Sequence, residues 1–502
     1  MTRNIVWSYK YMKTEAYDVA VIGAGVSGAS IARLLSSYKI KVALVDKCPD
    51  ACFGVSKANS GIVHAGFHHP VSTLKARLEL KGNMMYDRLH EELGFPFKRT
   101  GIIVAAFSSE EMKTVRKLYA QGVANGAPGI EICGTERLLT LEPKLNPDVA
   151  GGLYAPHGGV VEPYRFVFSL VESAILNGVE FIRDFKVEKA SREGSMHTIV
   201  SSEGDIIKSS FVINAAGLYA DKISEIFSAE QFKIFPRKGE EFLLDRNSPA
   251  YPVNVIFPVP ARESKGMLVI PTVEGTVMIG PTSQHIQDKE DSSTTYRNME
   301  KVFLQASRMI SGISRRDVIT SFCGLRPVSE NEDFIIEKSE KAQNFIQVAG
   351  IQSPGLTAAP AIAEYVAGIL ESECGIKLEK KEDFIPTLPR NERIYGMSPE
   401  KLDGLIKKDP AFGNIVCRCE QVSEAEIVDA VRKGHVTLDG IKFYTRAGMG
   451  RCQGGFCTYK ILKIISRETG IPVEEITRKG GKSLVTGEKL SPELYEGSLS
   501  SL

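Results

Sequence analysis

Apolar positions along the chain fall into two rhythms. Residues 17–22 (YDVAVI) form an almost uninterrupted apolar run, as does 41–45 (KVALV), and such runs predict strands buried on both faces of a parallel sheet. Between them residues 29–36 follow a helical period. The same alternation returns at 211–217 (FVINAAG), followed by helix-compatible 219–227, and at 345–350 (FIQVAG), followed by an Ala-rich helix over 358–370. Alternating strands and helices predict an α/β fold. Shorter strand-like runs bounded by Gly and Pro stand at 242–244, 267–270 and 276–279, with a helical stretch at 110–121. Beyond a connector rich in Pro, Gly and charge at 386–410, the pattern becomes that of short amphipathic helices. One is opened by a capping box at Ser423 and Glu426, runs through Arg432 and is ended by Gly434. Another, 458–468, carries Ile461, Leu462, Ile464 and Ile465 on one face, and Pro472 suits the first position of a short closing helix.

Composition adds limits. With 502 residues, 43% apolar and 25% charged, the chain reads as soluble and globular, in about three units of roughly 100–200 residues. The 62 basic and 61 acidic side chains leave a net charge of +1, so no global field draws in nucleic acid or an anionic bilayer. Residues 1–15 lack the apolar stretch of a secretory signal, and no run reaches membrane-spanning length. The expectation is a cytoplasmic protein without a direct membrane span, peripheral to the membrane only through a partner.

The chemistry starts at the first turn. The strand at 17–22 runs into Gly23-Ala24-Gly25-Val26-Ser27-Gly28 and then a helix, which is the dinucleotide-binding GxGxxG in its required context. Gly23 permits the turn, Gly25 lets backbone approach a pyrophosphate, and Gly28 lets helix and strand pack closely. Asp46, 18 residues past Gly28, ends the second strand and can accept from the ribose hydroxyls. No second GxGxxG follows a strand, so a separate pyridine-nucleotide site is not expected. The small residues Ala216 and Gly217, and the segment from Gly350 through Ser353, Gly355, Leu356 and Thr357 into a helix, favour FAD: a helix N-terminus would stabilise charge on a reduced flavin.

Of nine cysteines, Cys48, Cys52, Cys133, Cys323 and Cys374 are scattered and read as free thiols in a reducing compartment. Cys417-x-Cys419 and Cys452-x4-Cys457, flanked by glycines, make a metal site. Four thiolates satisfy zinc as well as iron. Zinc sites usually present CxxC knuckles, however, and the CxC and Cx4C spacing resembles the bacterioferritin-associated-ferredoxin-like domain, which implies a 2Fe-2S cluster.

From about residue 17 to 370 the chain resembles the D-amino-acid-oxidase-like superfamily of FAD enzymes. Residues 59–66 (NSGIVHAG), 151–164 and 237–240 (RKGE) are similar to L-2-hydroxyglutarate dehydrogenases, whereas 270–272, 277–282 and 324–327 (GLRP) look like flavin-dependent glycerol-3-phosphate dehydrogenases. The latter carry an Arg-Tyr pair where this chain has His68-His69, which weakens the phosphate-binding case. The four-cysteine module is similar to the extension on the large subunit of the anaerobic, multisubunit glycerol-3-phosphate dehydrogenase.

The resemblance implies a discontinuous FAD-binding Rossmann-like domain (15–97, 151–230, 324–375), an inserted α+β substrate domain (98–150, 231–323), a linker (376–410), a small mainly helical iron-sulfur domain (411–480) and a tail (481–502). Lys47, Asn59, Ser60, Val187 and Gly324 join the cofactor set. The expected reaction is oxidation of a secondary alcohol on a small anionic substrate, sn-glycerol 3-phosphate first and L-2-hydroxyglutarate second, with an amine or amino acid as the third choice of substrate. Electrons leave through the cluster to a partner redox subunit or other external acceptor. His64 and His68 are candidates for base or substrate contact, Arg326 for holding phosphate or carboxylate through its fork, and Lys238 for flavin or substrate. A reading of another class makes the chain an electron-transfer subunit without its own substrate; the inserted domain argues against it.

Overall fold

The computed structural model describes residues 16–260 and 266–487, so the readings placed on 1–15 and on 488–502 lie outside the described residues. Two compact units are present, one of residues 16–47 and 51–390 and one of 48–50 and 391–487.

In the larger unit the first apolar run is the strand Ala16–Ile22. It lies between Val42–Val45 and Ile206–Asn214 in a parallel array that Glu180–Ile182 and Phe345–Ala349 extend on either side. The hairpin Val187–Glu193 and Met196–Ser201 adds antiparallel to the start of Ile206–Asn214, and Ile335–Lys338 adds antiparallel to Phe345–Ala349. The helix Val26–Leu35 packs against Pro163–Leu176 and Gly355–Ser372. Its near-complete burial requires the small residues Gly28, Ala29 and Ala32, which let neighbouring backbone approach.

The inserted unit is a nine-stranded, largely antiparallel sheet. Its spine is Ile234–Leu244 against Val318–Ser329, with Arg237 opposite Arg326, Gly239 opposite Gly324 and Pro236 opposite Pro327. Only the last three residues of the first strand read as strand in the sequence, because Pro236 and Gly239 interrupt the apolar run. The strand Gly151–Ala155 pairs in this sheet with Ile102–Ala106 and Glu131–Cys133, and Val318–Ser329 passes through residue 324 without a break. Ile103, Val269 and Ile279 of the sheet pack with Val302 and Phe303 of the helix Tyr296–Met309 to form its core.

The smaller unit is mainly helical. Pro399–Lys408, capped by Ser398, is a helix inside the stretch read as a connector. A short hairpin, Ile415–Cys417 with Val422–Ser423, leads into Glu424–Arg432, Leu438–Thr445 and Thr458–Thr469. Both halves of the Ser423/Glu426 capping box form, and Gly434 follows the helix at φ +87°. Pro472 stands at the cap of a single 3-10 turn, Val473–Glu475, instead of the first helical position. Among the described residues no helix is long and apolar enough to cross a membrane.

One steric contact decides whether the first turn can form. A Cβ on residue 28 would lie 1.9 Å from the Gly23 carbonyl oxygen. Gly28→Ala is therefore expected to destabilise the unit by ~1–3 kcal/mol and to lower bound FAD per chain, measured by flavin released on denaturation. Full flavin content and an unchanged melting temperature would contradict this contact.

Candidate functional site

Gly23, at φ +107°, turns the chain out of the first strand, and a Cβ there would lie 2.4 Å from the Ala215 carbonyl oxygen. This close approach sets Ala216 and Gly217 beside the glycine turn. Gly25 caps the helix Val26–Leu35 without a side chain, and the Val26 amide donates to Ser56 Oγ at 2.9 Å. Asp46 Oδ2 accepts from the Ala24 amide at 2.7 Å, and Lys47 Nζ stands 3.8 Å from the centre of the Tyr219 ring. Val187 is buried in the apolar cluster against which Ala216 packs. Gly23, Gly25, Asp46, Lys47, Val187, Ala216 and Gly217 thus gather at one end of the parallel sheet.

The residues present fit FAD. Around Gly25 an added Cβ would touch only Ser56 Oγ, at 3.2 Å, and at Gly217 it would meet nothing within 4 Å. Backbone is therefore open where a pyrophosphate and its sugar must come close, and closed at Gly23 and Gly28 where the fold needs contact.

A second group surrounds the start of Gly355–Ser372. The His64 amide donates to Thr357 Oγ1 at 3.0 Å, and Thr357 Oγ1 donates to the Ile62 carbonyl at 3.3 Å. Ser353 Oγ lies 3.3 Å from His64 Nε2, the Asn83 amide donates to the His64 carbonyl at 2.6 Å, and the Tyr86 hydroxyl donates to the Leu356 carbonyl at 2.6 Å. His64 is therefore buried and fixed at its backbone, with its ring beside Ser353. The His68 ring meets the His64 ring edge-on at 5.7 Å and lies 5.1 Å from that of Phe257. Gly350, at φ +67°, ends its strand, and the helix that Gly355 opens has no side-chain cap, the Gly355 amide donating instead to the Gln352 carbonyl at 2.5 Å.

The third group lies on the long strand pair. Asn59 shapes its own loop by accepting from the Gly61 amide at 2.8 Å. That loop packs so tightly on the sheet that a Cβ at Gly324 would lie 2.0 Å from the Ala58 carbonyl oxygen. Arg326 donates through Nε to the Arg237 carbonyl at 3.3 Å and through Nη2 to those of Lys238, at 3.3 Å, and Thr282, at 2.7 Å. Burial brings its guanidinium down to about 10, with Glu241 pulling the other way. Lys238 is engaged elsewhere, donating to Asp291 at 2.9 Å and Ser293 at 3.0 Å. Gln352 joins the second and third groups, since its Oε1 accepts from Arg237 at 3.4 Å.

Glu241 is the residue that sequence reasoning missed. The Ser60 hydroxyl donates to its Oε1 at 3.0 Å, while its buried Oε2 has no hydrogen-bond partner among the described residues. Burial pushes the carboxyl up to about 7, against the pull of Ser60 and Arg326. Gly239 and Glu241 are two apart on one strand and so share a face, where a Cβ at Gly239 would lie 2.7 Å from Arg326 Nη2, but no local pattern in the sequence marks Glu241 as buried.

In the smaller unit the four cysteines stand as two pairs. Cys419 Sγ is 3.6 Å from Cys452 Sγ, and the Cys457 thiol donates to Cys417. That donor, with the amides of Gly448 and Glu420, holds the Cys417 thiol below its ordinary value in spite of burial. Among the described residues no three His, Cys, Asp or Glu side chains converge on one metal position. Two pairs of thiolates suit two irons better than one tetrahedral zinc. Cys457 caps Thr458–Thr469, and the buried ion pair of Arg446 and Glu420, at 2.8 Å, braces the loops.

Residues 18–369 match the family model described as FAD dependent oxidoreductase (DAO), and residues 415–467 match that described as BFD-like [2Fe-2S] binding domain. The chain is 42% identical over 474 residues to a glycerol 3-phosphate dehydrogenase of Caloramator mitchellensis, covering 94% of this chain and 98% of that one. It is 23% identical over 502 residues to the anaerobic glycerol-3-phosphate dehydrogenase subunit A1 of Haloferax volcanii, covering 90% and 83%. A dithionite-reduced L-alpha-glycerophosphate oxidase from Mycoplasma pneumoniae with FAD bound is similar at a TM-score of 0.71 and 29% identity, covering 75% of this chain and 100% of that one.

The Glu241 carboxyl yields a pH test. A folded pKa of about 7 against an ordinary 4.5 means that the folded state holds a proton the unfolded chain releases. Stability from this group is complete below the lower value and is lost as pH rises through the upper one, on the order of 3 kcal/mol in all. Glu241→Gln should therefore raise the urea midpoint of the apoprotein relative to wild type at pH ~8 more than at pH ~5. Equal differences at both pH values would contradict the assignment.

The glycine turn, the paired cysteines and the two matched segments agree: the chain belongs to the FAD dependent oxidoreductase family and is an FAD-dependent oxidoreductase with a C-terminal BFD-like domain for a [2Fe-2S] cluster.

Proposed function

We propose that this chain oxidises sn-glycerol 3-phosphate to dihydroxyacetone phosphate and passes the electrons through its [2Fe-2S] cluster to an external redox partner. The observation that carries the reading is the 42% identity, over 94% of the chain, to a glycerol 3-phosphate dehydrogenase. The subunit name of the Haloferax relative supports a partner subunit as the acceptor.

Bound FAD supplies the two-electron acceptor for the substrate, and the cluster supplies a one-electron exit. His64 takes the proton of the substrate hydroxyl, and the hydroxyl of Ser353, 3.3 Å from its Nε2, orients the ring. Arg326 meets the phosphate. Its Nε and Nη2 are already tied to backbone carbonyls, so the Nη1 edge is the one that faces an anion. The rings of His68 and Phe257, 5.1 Å apart beside His64, would limit water around that base.

Anaerobic holoenzyme should lose its flavin absorbance on addition of sn-glycerol 3-phosphate and keep it with L-2-hydroxyglutarate. Bleaching by hydroxyglutarate alone would transfer the reading to the other substrate, and bleaching by neither would end it. His64→Gln should lower kcat by about 10²–10⁴ with FAD retained, while Arg326→Lys should raise KM for the phosphate substrate by about tenfold or more. A His64 variant within twofold of wild type would remove that residue from proton transfer.

A further inference from the structure

The module's surface around the cysteine pairs has a character that its own folding does not require. Phe456, between Gly455 and Cys457, is 84% exposed, and Tyr459, one residue into the following helix, is 62% exposed. The Phe456 backbone is in use, because its amide donates to Cys452, but its ring packs into no core. Large aromatic rings left in water beside a functional centre mark contact sites. The thiols lie at the same face: Cys419 is exposed and Cys452 half-buried.

Charge around these rings is of one sign. Residues 415–467 carry nine basic and five acidic side chains in a chain that is otherwise balanced. In the loops and helix start that bear the cysteines, Arg418, Arg451, Lys460 and Lys463 are exposed, and Lys463 Nζ stands 4.5 Å from the centre of the Tyr459 ring. The acidic side chain there, Glu420, is buried against Arg446. The outer acids Glu424 and Glu468 both pair with Arg467. An apolar centre inside a cationic rim is the anatomy of a small, transient redox interface, in which aromatic contact holds the encounter and charge steers it.

We propose that the face formed by Phe456 and Tyr459, rimmed by Arg418, Arg451, Lys460 and Lys463, docks a one-electron carrier protein with an acidic rim and an apolar centre. The proposal rests on the reading that electrons leave through the [2Fe-2S] module. The exchange is a single electron: the carrier gains one as the module loses one, and no bond forms or breaks.

The test uses full-length holoenzyme whose cluster has been reduced chemically and freed of excess reductant. It is mixed anaerobically with oxidised cytochrome b5, an acidic haem protein, while haem reduction is followed by stopped flow. The second-order rate is expected to fall as salt rises, and at low salt to fall about tenfold or more in the double variant Lys460→Glu, Lys463→Glu. Phe456→Ser should lower it several-fold at every salt concentration, with flavin content and the EPR signal of the reduced cluster unchanged. Rates within twofold of wild type in both variants, or no dependence on salt, would overturn the proposal. So would concentration-dependent self-association of the wild type that the variants abolish, because the face would then serve a second copy. Since the cluster is reduced without substrate, a failure of substrate electrons to reach it counts against the functional reading and leaves this result independent.

Discussion

Two close approaches of backbone to backbone, Gly23 against Ala215 and Gly28 against Gly23, hold the larger unit in its functional arrangement. At 2.4 and 1.9 Å from the nearest carbonyl oxygen, neither position has room for a Cβ. The first draws the end of Ile206–Asn214 beside the end of Ala16–Ile22, and the second seats the helix Val26–Leu35 on the turn. Asp46, Lys47, Ala216 and Gly217 arrive together only because those strand ends are level. The dinucleotide site is thus a consequence of strand register and of two missing side chains. Recognition groups are then added to it.

The loop that carries Ala58, Asn59 and Ser60 depends on the inserted sheet for its shape. Ala58 lies against Gly324, and Ser60 donates to Glu241, so residues far apart in sequence set where the loop runs. Arg326 is fastened by three carbonyls of its neighbours, which fixes the direction of its remaining edge. Glu241 and Arg326 stand on the two paired strands, each shifting the other's proton affinity in a place where burial disfavours both charges.

Legibility in the sequence followed the range of the interactions. The first strand, glycine turn and helix were readable because each residue's role is local, and so were the capping box at Ser423 and Glu426 and the apolar face of Thr458–Thr469. The strand Ile234–Leu244 was seen only in part, since Pro236 and Gly239 break its pattern and are tolerated because Pro327 and Gly324 stand opposite them. The helix Leu438–Thr445 was missed for a similar reason: Gly440 lies within it and its N-terminus is supplied by Thr437. Glu241 acquired its meaning from Ser60, 181 positions away, and nothing local to it announces a buried acid. Lys238 reads as a site residue from its motif, yet the structure ties its ammonium to Asp291 and Ser293.

The central claim is that substrate electrons entering at one redox centre reach the other within a single polypeptide. Low-temperature EPR of anaerobic holoenzyme after addition of sn-glycerol 3-phosphate, with no other reductant, tests it most directly. The account predicts the signal of a reduced [2Fe-2S] cluster, growing as flavin absorbance is lost. A cluster that stays EPR-silent with substrate, although dithionite reduces it, would contradict the account.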